Sequence, residues 1–287
     1  MPSEVAEAPR IFTKAPPWHG WVTADTFLLS LASGTFTIAA LFVLLRPYEM
    51  DAVTRIAFYV VFPLMLGDLV CLVADLGDPL RFHHMLRTFK PGSPMSVGVW
   101  AISVFSVFAF LAFAAAVVDA PQAVVRTIAA VGLAPGLVVA AYKGVLFSGT
   151  AQPAWRKMRW LGAAFALSAP SMGAAMMLAI ATSTGDFSAA RIARYILMWL
   201  LVLSALVVRR VMGRPGAVGH LSDLENRAII LRTSLNYTTF IVAGLGLPIF
   251  LCIFSRGTPS VDAAIVALVL MGALLSRHYL VMLPHRN

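Results

Sequence analysis

The sequence predicts an all-α integral membrane protein with eight transmembrane helices. Three observations carry that prediction. Of the 287 residues, 60% are hydrophobic and 12% are charged, against about 25% charged in ordinary soluble domains. The mean hydropathy is +0.84, and a soluble core could not hide so much apolar surface. Apolar runs of spanning length recur along the whole chain and leave no room for a soluble domain. The runs are long and continuous rather than short and alternating, which excludes a barrel.

The first helix is expected over Val22–Leu45 and the second over Ala52–Ala74. The second ends where Gly77 and Pro79 break the pattern. The third, Val97–Val118, is led in by Ser93 as N-cap with Pro94 at the first helical position. The fourth, Val124–Phe147, carries Tyr142 and Lys143 near its end. The fifth, Leu161–Ala181, contains SAPSMGAAM, where Ser168, Pro170, Ser171 and Gly173 predict a kink or a small-residue packing face. The sixth, Ile192–Val208, is the shortest; Leu235–Phe254 and Val261–Met282 follow. The organisation is thus a segment 1–21, a membrane domain 22–283 and a tail 284–287.

Eight spans put both termini on one side. Sixteen Lys and Arg residues are assigned to that side and six to the other. With loops this short, the excess of basic residues predicts cytoplasmic termini and a multi-pass protein of the bacterial inner membrane. A basic docking surface for an acidic partner would give the same bias. The net charge of +9 is explained by orientation and lipid headgroups, so no nucleic-acid partner is expected. The acids and prolines of MPSEVAEAPRIFTKAPPWHG do not resemble a cleaved signal peptide. The longer loops lie on the side of the termini, which makes it the expected functional face.

Polar residues inside apolar runs are the candidate site. Asp25 lies early in the first helix and Asp68 in the second, seven residues before Asp75. Seven residues are two helical turns, about 10 Å, so Asp68 and Asp75 share a face. Intramembrane acids relay protons, bind a polar group or pair with a base; for Asp68 an ion pair or a cap remains open. Arg81 can hold Asp75 or donate to a carbonyl. Tyr142 offers a phenol donor or an interfacial anchor, Lys143 is read as snorkelling or paired, and Trp100 suits a membrane interface.

The stretch DLGDPLRFHHML, Asp75–Leu86, sets two histidines side by side. Adjacent residues do not share a helix face, and no predicted span offers a mid-membrane histidine pair, so haem b is disfavoured. Cys71 and Cys252 form no CxxC, so neither an iron–sulfur cluster nor a zinc site is expected.

The stretches DLGDPLRF (75–82), SPMSVGVW (93–100), YKGVLFSGTAQPAW (142–155) and FLLSLASG (27–34) resemble the NrfD/PsrC family of membrane subunits, similar to the polysulfide reductase anchor. Asp78 stands where that family often has arginine, and His83–His84 where it often has an aromatic–Asn pair. The resemblance implies a quinone-reactive anchor, with the quinone, a menaquinone or ubiquinone, held in a four-helix bundle and no haem or iron–sulfur cluster in this chain. It implies a four-cluster iron–sulfur subunit docked on the cytoplasmic face and a molybdenum or tungsten subunit beyond it. Tyr142 matches the family's quinone-side tyrosine. Asp25, with His19, is expected at the other carbonyl or at its proton, with Asp75, Arg81, Asp68 and Trp100 around the site. The basic bias leans the reading toward quinone reduction by a donor such as sulfite or formate. The alternatives are a quinol-oxidising reductase anchor, a proton-translocating subunit, a structural anchor, or a secondary transporter coupled through Asp25 and Asp68. Against the transporter, DLGDPL has no counterpart in the last three helices.

Overall fold

A computed structural model describes residues 20–45, 51–76, 83–84, 86–150, 155, 158–212, 240–255 and 257–282. The long helices are α1 (Gly20–Leu45), α2 (Ala52–Ala74), α3 (Pro94–Val117), α4 (Gln122–Ser148), α5 (Leu161–Ser183), α6 (Phe187–Met212) and α8 (Pro259–Met282). Between α6 and α8 lies a π-helical stretch, Phe240–Gly246, that runs into the short helix α7 (Leu247–Phe254).

The sequence predicts eight spanning helices; among the described residues, seven are long and apolar enough to cross a membrane. Of the expected seventh span, Leu235–Phe254, the described part is a seven-residue π-helical stretch that runs into an eight-residue helix, with residues 235–239 outside the described residues. Pro248 supplies the physical reason for the change of winding. It has no N–H to return to the preceding turn, and the chain ahead of it is wound wider. The sixth helix errs the other way and is longer than predicted at both ends. Arg191 and Arg209 border the apolar run, although the backbone continues through both.

Call the side where α1 begins the near side. The starts of α6 and α8 are joined on the far side by the Arg194–Asp262 pair. Their ends share a near-side apolar cluster containing Val211, Leu280 and Val281. Both helices therefore run from far to near, and the chain between them must return; Phe240–Phe254 lies on that return. Gly244 and Gly272 let its backbone meet α8 closely.

Helices α1 to α4 close into a bundle, each against the next, with α4 back against α1. Phe36, Phe58 and Phe105 fill its middle, with ring centroids 5.8 and 5.4 Å from Phe36. Helix α5 covers α1 and α4 from outside, so α1 is enclosed nearly all round. That enclosure explains its hydroxyls. Thr26, Ser30 and Thr37 donate to carbonyls three or four residues back at 2.9, 2.9 and 2.7 Å, so they need no partner from another helix. Where α1 crosses α5, Gly34 meets the backbone of Ala169 and Gly173 with no space for a Cβ. Such small-residue contact is how helices associate where lipid removes the hydrophobic drive.

Candidate functional site

Asp25 is in the second turn of α1 and Lys143 in the last two turns of α4. Lys143 Nζ donates to Asp25 Oδ2 at 2.5 Å, with the side chains 6% and 4% exposed. The buried carboxylate is thereby answered by charge, as the low-dielectric interior requires. Asp68, from α2, is fully buried and interacts electrostatically with both members of the pair. Neither Asp68 oxygen has a hydrogen-bond partner, and Asp25 Oδ1 also lacks one. Two acids and one base thus meet at the near-side end of the bundle, brought there by three different helices.

Three consecutive residues of α4 assemble this end. Successive helical residues point about 100° apart, so Tyr142, Lys143 and Gly144 reach three neighbours. The ring of Tyr142 occupies the space a Cβ would take at Gly98 of α3. Lys143 reaches α1, its ammonium 5.2 Å from the centroid of the Tyr142 ring. Gly144 lies against the Leu161–Gly162 backbone of α5. A larger residue at Gly98 would expel the tyrosine, and one at Gly144 would push α5 away.

The sequence profile of the polysulfide reductase family, of the NrfD type, matches residues 11–286. This chain belongs to that family. Its members are membrane proteins associated with oxidoreductase complexes. A selenate reductase subunit from Mesobacillus selenatarsenatis is 24% identical over 99 residues, which cover 34% of this chain and 22% of that relative. The chain therefore spans about a fifth of that relative's length in the match.

In this NrfD-type protein the described residues of the stretches that carry the resemblance have structural tasks. In SPMSVGVW, Ser93 caps α3 and Pro94 opens it, Gly98 accepts the tyrosine ring, and Trp100 faces outward at 38% exposure. Within FLLSLASG, Gly34 forms the α1–α5 crossing. At the end of YKGVLFSGTAQPAW, Trp155 stacks on Phe147 at 5.0 Å and donates its indole N–H to Leu280 O at 2.9 Å, tying the chain after α4 to α8. Asp75 closes α2, its N–H donating to Cys71 O at 3.1 Å.

Among the expected site residues, the structure brings together Asp25, Asp68 and Tyr142, and adds Lys143. Asp75 sits two turns beyond Asp68, at the end of α2. Trp100 belongs to the outer face of α3. His19 and Arg81 lie outside the described residues. His83 and His84 are exposed, their ring centroids 4.3 Å apart, and no group of three metal-ligand side chains occurs among the described residues.

Three basic residues change place relative to the sequence tally. Lys143 and Arg277, near the ends of predicted helices and counted on the near side, are buried, and Arg194, within the sixth predicted helix and counted on the far side, is largely shielded in α6. Removing all three leaves the tally strongly one-sided. Arg277 donates to Thr26 O at 3.2 Å, Ala273 O at 3.1 Å and Ser168 Oγ at 3.0 Å, and stands over the Phe165 ring. On the far side, Arg194 Nη2 donates to Asp262 Oδ1 at 2.5 Å, and Thr182 donates to the other oxygen at 3.3 Å. A helical count would have found Arg277. It follows Val269 and Ala273 at four-residue steps and shares their buried face. The Arg194–Asp262 pair, 68 residues apart, left no such trace.

Proposed function

We propose that this protein is the quinone-reactive membrane anchor of a multi-subunit oxidoreductase. It exchanges electrons between the membrane quinone pool and an iron–sulfur subunit on the near side, with a molybdenum or tungsten subunit beyond. The observation that carries the reading is the polar cluster of Asp25, Asp68, Tyr142 and Lys143 at the end of a four-helix bundle, in a chain of the NrfD type. A quinone, when bound, supplies the redox chemistry. The residues fit its head. Asp68 has two buried carboxylate oxygens without a partner, and a tyrosine O–H and a lysine ammonium stand at the same end.

In this reading Tyr142 donates to a ring carbonyl oxygen. Asp68, which faces Asp25 and shares the charge of Lys143 with it, holds and releases a proton. Asp25, which the sequence marks for proton exchange, acts mainly by fixing Lys143, and Lys143 keeps positive charge near the carbonyl oxygens, where negative charge collects. The near side is the cytoplasmic side of the inner membrane, on the basic residues that remain there after the three buried ones are removed.

The direction of electron flow has two readings. The basic bias leans toward quinone reduction by a donor such as sulfite or formate. The relative is named a selenate reductase subunit, which favours quinol oxidation. The test is to purify the chain with its partners and assay both quinone reduction and quinol oxidation. Tyr142→Phe and Asp68→Asn complexes should assemble and lose most of that turnover. A wild-type complex that exchanges electrons with no quinone would sink the proposal, and unchanged turnover in the Tyr142→Phe complex would remove that residue's role.

A further inference from the structure

The outer face of α3 and α4, turned away from the polar cluster, carries a groove of about 490 Å³ with purely apolar lining. That volume is within the roughly 300–1,000 Å³ usual for ligand sites. Phe89 and Trp100 form its near-side rim, their rings edge to face with centroids 6.0 Å apart. Ala101 gives the floor its depth, and Pro135 and Val138 of α4 form the opposite wall. The turn before α3 is held over the groove by one side chain. Ser96 Oγ accepts the Lys90 N–H at 2.9 Å and donates to Thr88 O at 3.3 Å. Phe89, between those two, is thereby set on the rim; Lys90 follows it directly in the same turn and Arg87 precedes it by two residues.

Arg87 and Lys90 are both exposed, and no carboxylate among the described residues pairs with either. A groove on a lipid-facing surface, with two exposed cations in the turn that carries its rim residue Phe89, has the polarity of one kind of molecule. We propose that it holds an acyl chain of an anionic phospholipid whose phosphate lies against Arg87 and Lys90. Charge complementarity selects that occupant. A zwitterionic lipid would cancel the attraction with its own cation, and a prenyl chain would leave both cations unmatched. Basic residues at the membrane surface favour anionic lipid by an amount that, for two of them, is roughly a tenfold preference or more. Trp100 at the same level suits the interface.

The test is native mass spectrometry of the full chain in detergent, titrated with phosphatidylglycerol or phosphatidylcholine of identical chains. One phosphatidylglycerol should be retained per chain, at least about tenfold more strongly than phosphatidylcholine. The R87Q/K90Q double variant should lose the preference and keep weak binding of both lipids. Ala101→Phe, which fills the floor, should lose both. Val138→Phe fills the groove from the other helix and replaces it if the first variant is not monodisperse. Inorganic phosphate should compete poorly. Equal retention of the two lipids by wild type, or an undiminished preference in R87Q/K90Q, overturns the proposal. So does full competition by phosphate. Loss of a co-purifying prenyl quinone from Ala101→Phe, with phospholipid retained, would assign the groove to the quinone tail instead.

Discussion

Replacing Lys143 with methionine removes the cation of the buried cluster while keeping an unbranched side chain of similar length. It leaves Asp25 and Asp68 facing each other at the near end of the bundle without a base. Both side chains of the Lys143–Asp25 pair are almost completely shielded, at 6% and 4% exposure, and the atoms are 2.5 Å apart, so solvent screening offers little relief. Removing one partner of a buried pair costs about 3–5 kcal/mol, and the second carboxylate places this variant toward the upper part of that range. Asp25→Asn is a different case. It leaves Lys143 still interacting with Asp68, so its cost should be nearer the about 1–3 kcal/mol of a lost hydrogen bond to a charged group. The two variants are therefore expected to be unequal, and K143M/D25N should be less destabilised than the sum of the singles. Unfolding in mixed micelles, followed by helicity against mole fraction of denaturing detergent, measures all three. A Lys143→Met protein within about 0.5 kcal/mol of wild type, the scatter of an ordinary surface change, would refute the reasoning. Equal losses in the two single variants would show that Asp68 does not share the lysine.

Arg277→Met should behave oppositely, because Arg277 donates to two carbonyls and a serine and leaves no carboxylate behind; its unfolding midpoint is expected to change little or to rise. Gly34→Ala puts a Cβ into the Ala169 carbonyl and should cost about 1–3 kcal/mol or more. Gly20→Ala, where nothing lies within 4 Å of the added atom, is the control, and equal behaviour of the two in a thermal melt would contradict the close α1–α5 crossing. Asp262→Asn strands Arg194 on the far side and should cost about 3 kcal/mol, the low end of the buried-pair range, because the arginine keeps 14% exposure. That loss should appear in the unfolding midpoint and leave quinone turnover in the remaining folded protein unchanged.

The helices were legible because hydropathy is a local property that survives without tertiary information. Ala52–Ala74 was placed to the residue, and Ser93 and Pro94 announced the start of α3 through their own backbone chemistry. The π-helical winding ahead of α7 is not legible in the sequence, for a physical reason. Hydropathy counts Gly244, Gly246 and Pro248 as neutral punctuation in an apolar run, while the backbone treats the proline as a missing donor. The candidate site was half legible. Asp25, Asp68 and Tyr142 drew attention because polar groups are costly in lipid, but Lys143 was read as one of the near-side basic residues, since its position near a helix end suits snorkelling as well as pairing.

Taken alone, the sequence determined the membrane as solvent, the long helices, the one-sided basic charge and, through four short stretches, the family. Tertiary structure alone decided that Lys143 belongs to Asp25, that Arg194 belongs to Asp262, that Asp68 is left without a hydrogen bond, and that Gly34, Gly98 and Gly144 are points where helices meet closely. The reason is the solvent. In water a helix advertises its buried face by its apolar stripe, but in lipid the outward face is as apolar as the inward one. The rotation of each helix, and therefore which charges meet, is fixed by packing between segments far apart in the chain.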